Sequence, residues 1–339
     1  MAVSAQPIAV LGAGSWGTAL ALVLARNGHA VRLWGHVPSQ METLAAEREN
    51  RRYLPGVHFP QTLEPTADLR RAMDGVRDAL IVVPSHAFRE MLQQLVPLIP
   101  ADGRLIWATK GLDSDGGGLL HEVVGQLVPG HATAVLSGPS FAAEVAACKP
   151  TAVTIASADR QFADHMVERF YSEDFRPYSS SDVIGVELGG AVKNVLAIAT
   201  GIADGMELGA NTRAGLITRG LAELVRLGES LDADPLTFMG LSGMGDLILT
   251  CTDNQSRNRR LGMALGRGQS LERAVADIGQ TVEGIYTARE VRTLAQRLGV
   301  EMPICDQVYR IMVQGLPPAE AVRTLMTRAP REETSLGDG

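Results

Sequence analysis

The stretch Ile8-Ala9-Val10-Leu11-Gly12-Ala13-Gly14-Ser15-Trp16-Gly17-Thr18-Ala19-Leu20-Ala21 decides how this chain folds. Its first four residues form a short apolar run, the mark of a buried strand over Ile8–Leu11. A GxGxxG run follows, and Ser15 to Asn27 is rich in Ala and Leu, both good helix formers. A second short apolar run, Ala30–Trp34, completes a βαβ unit of roughly 30 residues. Each glycine has its own role in that setting. Gly12 permits the tight turn, Gly14 lets backbone approach a pyrophosphate, and Gly17 lets the helix pack on the strand. The diphosphate then meets the unpaired N–H groups and the positive dipole end of the helix. Ligand-free glycine turns share the six-residue pattern, but not the strand before it and the helix after it.

Further short apolar runs lie outward from this unit. Ala79–Val83, Leu105–Thr109 and Ala134–Leu136 end in Pro84, in Lys110-Gly111 and in Ser137-Gly138-Pro139, and Thr151–Ala156 is expected to complete the sheet. Strands that alternate with helices pair in parallel through right-handed crossovers. After Ser179-Ser180-Ser181-Asp182 the apolar spacing becomes helical, through Val186, Ala191, Val195, Ile198 and Ile202, and no strand is expected beyond about residue 180. The fold class is therefore α/β: an N-terminal Rossmann-type doubly wound sheet followed by a mainly α-helical second domain. Residues 1–182 are expected to form an NAD(P)-binding domain, 183–330 a helical substrate and catalytic domain, and polar 331–339 a flexible tail.

Composition narrows the partners. The chain has 339 residues, 45% of them hydrophobic and 20% charged, so it can bury a core in each of two domains. A net charge of −7 argues against binding a polyanion such as nucleic acid, though not against one small anionic ligand. Only Lys110, Lys149 and Lys193 are lysines, against 28 Arg, and Lys is the cation that gives up a proton. Cys148, Cys251 and Cys305 are scattered, with no CxxC, and read as reduced thiols of a cytoplasmic protein. No basic leader and no unbroken apolar run of about 20 residues suggests export or membrane insertion. No His, Asp and Glu spacing suggests a metal.

An NAD-preferring site places Asp or Glu about 20 residues past the glycines, to bond the ribose 2′-hydroxyl. Here Leu33-Trp34-Gly35-His36 offers no carboxylate. His36, helped by Arg32 or by Arg51 and Arg52, is read as meeting a 2′-phosphate, so NADP(H) is expected to be accepted and preferred, with NAD(H) also used.

Four other segments suggest chemistry. Ala108-Thr109-Lys110-Gly111-Leu112 and Ser137-Gly138-Pro139-Ser140-Phe141-Ala142 each follow a strand, where α/β sheets place ligands. Glu187-Leu188-Gly189-Gly190-Ala191-Val192-Lys193-Asn194 sets one Lys on an apolar helix beside small residues that leave room at its amine. Gly243-Met244-Gly245-Asp246 is followed by Ser256-Arg257-Asn258-Arg259. Singly, these are a solvated lysine, glycine turns and a helix start. Together they supply a proton-donating Lys, an Asp to balance it, and an Arg fork for a phosphate.

These segments, with GAGSWGTALA, LSGPSFAAEV, LSGMGDLILTCT, SRNRRLG and GQTVEGI, make the sequence closely resemble the bacterial NAD(P)-dependent glycerol-3-phosphate dehydrogenases. The resemblance runs from Gly12 to about Thr327, and the long block around Lys193 is its most specific part. It implies interconversion of dihydroxyacetone phosphate and sn-glycerol 3-phosphate, which supplies glycerophospholipid synthesis. It also implies residue roles. Ser15, Trp16 and His36 would contact NADPH, as would Ala142, Thr281 and Glu283. Lys110 and Arg257 would touch both cofactor and substrate; Gly138, Ser140, Asp246, Ser256 and Asn258 would bind substrate; and Lys193 would be the proton donor and acceptor. Lys149 is left to the surface, and a homodimer is expected.

Two rivals stand beside this reading. One is a related Lys-dependent reductase acting on a non-phosphorylated keto acid, such as a ketopantoate reductase-like protein. The other is a non-catalytic NADP(H) sensor, against which the presence of Lys193, Asp246 and Lys110 argues.

Overall fold

The computed structural model describes residues 6–329, so the tail expected over 331–339 lies outside the described residues. The described chain divides into two compact units. The first runs through Thr109 and resumes over His121–Val183; the second joins Lys110–Leu120 to the chain from Ile184 onward.

The first unit is built on ten strands: β1 (Ile8–Leu11), β2 (Val31–Trp34), β3 (Glu49–Asn50), β4 (Leu54–His58), β5 (Leu63–Thr66), β6 (Asp78–Ile81), β7 (Arg104–Trp107), β8 (Ala132–Ser137), β9 (Thr151–Ala156) and β10 (Phe175–Ser180). Eight of them form one sheet in the order β10-β9-β8-β7-β6-β1-β2-β5, and β3 and β4 pair separately. β1 lies between β2 and β6, parallel to both, with Leu11 opposite Trp34 and Ile81. From β1 the chain builds outward to β2 and β5, then returns to start the other half at β6. The glycine loop therefore leaves the sheet at its topological switch point, where such sheets bind ligands. Inward residues such as Ile8, Val10, Leu33, Leu80 and Ile106 pack with Leu20 and Leu24 of the helix Ser15–Arg26.

Two expectations need correction. The sheet does not end at Thr151–Ala156: β10 pairs beyond it, and β5 forms the other edge. Both edge strands carry a proline, Pro177 and Pro65, which removes a ladder donor and is tolerated at edges, so neither reads as a strand from its pattern. Nor is the pairing uniformly parallel, because β9 runs antiparallel to β8, with Leu136 opposite Ile155.

In the second unit the described residues from Ile184 onward are helical outside short connections, whereas residues 110–119 form neither helix nor strand. Its axis is the helix Val183–Gly205, buried from Gly185 through Ala203. That helix is long and apolar enough to cross a membrane, yet 89% of its most apolar stretch is buried inside the protein, as a core helix requires. Leu188, Val192, Val195 and Ile198 pack with Leu224, Phe238, Leu247, Leu261 and Val291. The helix Arg257–Gly266 crosses it with glycine on both sides: a Cβ at Gly201 would strike Arg259 O, and one at Gly262 would strike Ile198 O. That close crossing fixes where the Ser256–Arg259 segment starts relative to Lys193.

Candidate active site

The glycine loop shapes a cradle from backbone. Gly12 has φ +126° and Val82 O, just past β6, occupies the place of a Cβ, so only glycine makes this turn without strain. At Gly14 nothing lies within 4 Å of where a Cβ would be, and the helix it opens has no side-chain cap. The first amides of that helix are thus left to an anion, and this open cradle fits the diphosphate of a dinucleotide. Two residues without a sequence signal hold the loop. Asn50 Nδ2 donates to Ala13 O at 3.1 Å and to Thr18 Oγ1 at 2.8 Å, and Gln40 Nε2 donates to Ala13 O at 3.4 Å. Ser15 and Trp16 are half-buried in the first turn, and His36 stands exposed just past β2. Arg32 is engaged elsewhere: Nη1 donates to Arg71 O at 2.8 Å and to Asp74 O, so it is not among the groups around His36.

On the same unit, Gly138 follows β8 with φ +136°, and Ser140 Oγ donates to Gly138 O at 2.9 Å. Ala142 opens the short helix Ala142–Ala146. Lys149 is exposed and pairs with Glu144 at 3.1 Å.

The second unit gathers the charged candidates. Asp246, 1% exposed, accepts from Lys110 Nζ on Oδ2 at 2.7 Å and from Lys193 Nζ on Oδ1. What brings Asp246 there is a single π turn, Leu241–Gly245, that packs on the lysine helix at Gly189, where a Cβ would strike Ser242 O. The room that the small residues leave beside Lys193 is thus filled partly by backbone.

Lys193 is 7% exposed and also donates to Thr250 Oγ1 at 3.1 Å; Thr250 in turn donates to Asp246 O at 2.6 Å. Burial is the main force lowering the Lys193 pKa; Asp246 opposes it, Lys110 adds to it, and the result is a drop to about 7. Burial pushes the Asp246 carboxyl up, but the two ammonium groups outweigh it and hold its pKa below the ordinary value. Two cations share one buried anion, so one of them is poised to give up its proton.

Asn194, next to Lys193, carries the network onward. Its Nδ2 donates to Lys110 O at 3.2 Å, its Oδ1 accepts from Asn258 Nδ2 at 2.8 Å, and Asn258 Oδ1 accepts from Gly284 N at 2.9 Å. Asn258 is therefore a buried link whose second amide hydrogen stays available. Ser256 caps the helix Arg257–Gly266 by accepting from Arg259 N, and Arg257 lies half-buried in its first turn. Arg259 is structural: it pairs with Asp204 at 2.5 Å and donates to Cys251 O at 3.1 Å. Glu283 opens the helix Glu283–Leu298, with Thr281 exposed just ahead of it. Lys110, Lys193, Asp246, Asn258 and the turn at Glu283 thus belong to one network. Thr250 and Asn194 join it without a signal in the sequence.

The three cysteines are free. Burial pushes the Cys251 thiol up to about 12 and, with Glu223 adding to it, the Cys305 thiol well above its usual value, which unfits both as nucleophiles.

A Rossmann-type sheet with a bare helix N-terminus, and a lysine tuned toward neutrality by burial beside a carboxylate and a second lysine, define a nicotinamide-dependent oxidoreductase. Known proteins narrow the class. The NAD-dependent glycerol-3-phosphate dehydrogenase N-terminus matches residues 7–163 and the C-terminus matches 182–323. A glycerol-3-phosphate dehydrogenase [NAD(P)+] of Halorhodospira halophila is 57% identical over 330 residues, covering 97% of this chain and 99% of its own. One from Escherichia coli is 54% identical, over 96% of this chain and 97% of its own. The crystal structure of glycerol-3-phosphate dehydrogenase from Coxiella burnetii superposes with a TM-score of 0.93 at 53% identity, over 95% of this chain and 99% of that one. This chain belongs to the NAD-dependent glycerol-3-phosphate dehydrogenase family. A ketopantoate reductase from Ralstonia eutropha shares the fold alone, with a TM-score of 0.59 at 15% identity.

Proposed function

We propose that this chain interconverts dihydroxyacetone phosphate and sn-glycerol 3-phosphate with NAD(P)H and NAD(P)+. The observation that carries the reading is the buried Lys193–Asp246–Lys110 cluster, with Lys193 near neutrality. A bound nicotinamide supplies the hydride that the reduction consumes. As the C2 carbonyl of the substrate is reduced, Lys193 Nζ gives its proton to the nascent alkoxide; in the reverse direction the free amine takes the proton from the hydroxyl. Asp246 holds Lys193 in place and keeps its ammonium form within reach of neutral pH. Lys110 supplies the second positive charge that polarises the carbonyl and makes Lys193 the more willing donor. Arg257 binds the phosphate as a fork, with Ser256 and the spare amide hydrogen of Asn258 beside it, and Gly138 and Ser140 are further substrate-binding residues in this reading.

The first unit is the nucleotide-binding domain in this reading, with Gly12, Gly14 and Gly17 shaping the loop for the diphosphate, Ser15, Trp16, Ala142 and His36 contacting the cofactor, and NADP(H) preferred. Thr281, Glu283, Lys110 and Arg257 are the remaining cofactor contacts in this reading. The enzyme works in the cytoplasm, as a homodimer, to supply glycerol 3-phosphate for phospholipid synthesis.

The test is NADPH oxidation by the purified protein with dihydroxyacetone phosphate, repeated with NADH and with ketopantoate. Turnover of the triose phosphate with NADPH, slower with NADH and negligible on ketopantoate, is expected. Turnover of ketopantoate alone would replace this reading with the keto-acid reductase. Tight NADPH binding with no turnover on any substrate would make the protein a sensor.

A further inference from the structure

Glu290 is a buried acid, 6% exposed, on the helix Glu283–Leu298 and outside the reacting groups. Its carboxylate accepts the backbone N–H of Leu112, two residues past Lys110, while its Oε2 has no hydrogen-bond partner among the described residues. The segment Lys110–Leu120 rests on the same turn of helix. Gly117, at φ +68°, lies so close that a Cβ there would stand 2.8 Å from Glu290 O. Leu112 and Leu119 of this segment are buried in the core of the second unit, and Asn194 holds the carbonyl of Lys110 from the other side. The backbone around Lys110 is thus held by Asn194 before the bend and by Glu290 after it.

A short segment with no ladder of its own takes its conformation from such anchors. An orphaned buried amide at Leu112 would cost more than the bond itself contributes, so the segment would shift to find another partner. The ammonium of Lys110 would move with it, away from Asp246.

We propose that Glu290 is a positioning residue for Lys110: by holding the Leu112 amide it fixes the segment that presents the Lys110 ammonium to Asp246. The proposal rests on the reading that Lys110 assists reduction of the triose phosphate. Burial is the main influence pushing the Glu290 carboxyl up to about 7, with Glu283 and Asp113 adding to it and the Leu112 amide and Arg289 opposing. Near neutrality much of it is the uncharged acid, whose carbonyl oxygen accepts the amide as well as a carboxylate would. A glutamine, uncharged and of the same shape, therefore replaces it.

The experiment measures steady-state kinetics with dihydroxyacetone phosphate and NADPH on the full chain. It compares wild type, Glu290→Gln, Glu290→Leu, Lys110→Met and the double variant Lys110→Met/Glu290→Leu, with thermal unfolding of each. Glu290→Leu is expected to lose about tenfold or more in kcat/KM, and Glu290→Gln to stay within about twofold of wild type. The double variant should be no slower than Lys110→Met alone, because a residue that acts through Lys110 has nothing left to act on. A merely structural glutamate would lower the melting temperature, and its kinetic loss would multiply with that of Lys110→Met. Multiplying losses, wild-type kinetics in Glu290→Leu, or a Glu290→Gln as slow as Glu290→Leu would each overturn the proposal. Should Glu290→Leu fail to fold, Glu290→Asp takes its place, its carboxylate one methylene short of the Leu112 amide, with the same losses and non-additivity expected. A wild type inactive on the triose phosphate would be the separate failure of the functional reading, seen before any variant is made.

Discussion

At the glycine loop of the first unit the groups offered to a ligand are backbone amides, and side chains matter by their absence: Gly12 leaves room for Val82 O, and Gly14 faces open space. At the lysine cluster of the second unit the reverse holds. Lys193 and Asp246 are charged side chains buried against an apolar core, with Lys110 half-buried beside them. In the proposed reading the first site recognises an anion by shape and by the dipole of a helix end, and a change there acts by crowding. The second, in the same reading, moves a proton, and a change there acts through charge. Substitutions should therefore separate cleanly, binding being lost at one site and turnover at the other.

The largest break is expected at Lys193. Lys193→Met keeps the length and the apolar stem but removes the proton, so kcat should fall by roughly 10²–10⁴, the range of general acid–base catalysis. NADPH affinity, read by fluorescence titration, should stay near the wild-type value, since the glycine loop is untouched. Near-normal turnover in this variant would take Lys193 out of the mechanism.

The pH dependence sharpens the same contrast. With the Lys193 pKa brought down to about 7, the ammonium predominates below that pH and the free amine above it. Reduction needs the proton, so its kcat should be level on the acid side and fall toward tenfold per pH unit above about 7. Oxidation of glycerol 3-phosphate needs the free amine, so its kcat should rise through the same region and level off on the alkaline side. NADH affinity should not follow either curve through this region. Parallel profiles in the two directions would show that some other group carries the proton.

At the loop, Gly12→Ala should weaken NADPH binding by about tenfold, as expected if the positive φ and the collision with Val82 O cost about 1–3 kcal/mol. Its melting temperature should fall too, while kcat at saturating NADPH stays close to wild type. A variant that kept its NADPH affinity and lost kcat would erase the distinction between the two sites.

What the sequence reveals of all this, and what it hides, follows from the same physics. β1, and β6 and β7 after their first residues Asp78 and Arg104, announce themselves because strands buried on both faces are continuous apolar runs. β5 and β10 do not, because at an edge Leu-Glu-Pro-Thr and Phe-Arg-Pro-Tyr-Ser-Ser need satisfy only one neighbour. Lys193 and Asp246 stand out as charges within apolar stretches. Thr250, Asn194, Asn50 and Glu290 act through partners remote in the chain, and no local pattern marks them. Thr250 meets Lys193 across 57 residues, Asn194 meets Asn258 across 64, and Asn50 meets Thr18 across 32. Arg257 and Arg259 look alike in sequence. Only the tertiary partner Asp204 removes Arg259 from the proposed phosphate fork.

The smallest expected effect tests the edge of the nucleotide site. No carboxylate follows β2, and His36 stands exposed there, while Arg32 is tied to the carbonyls of Arg71 and Asp74. In the proposed reading, preference for a 2′-phosphate thus rests on one histidine and on the absence of an acid, a weaker device than an Arg fork. His36→Asp should restore the acceptor that a 2′-hydroxyl uses and repel a 2′-phosphate. The ratio of kcat/KM for NADPH over NADH should move several-fold toward NADH, roughly the 1 kcal/mol or so that an exposed charge supplies. Because the charge is exposed, the shift should shrink as ionic strength rises, whereas the losses at buried Lys193 should not. A ratio unchanged by His36→Asp at low salt would move the origin of cofactor preference to Arg51, Arg52 or the backbone of the loop itself.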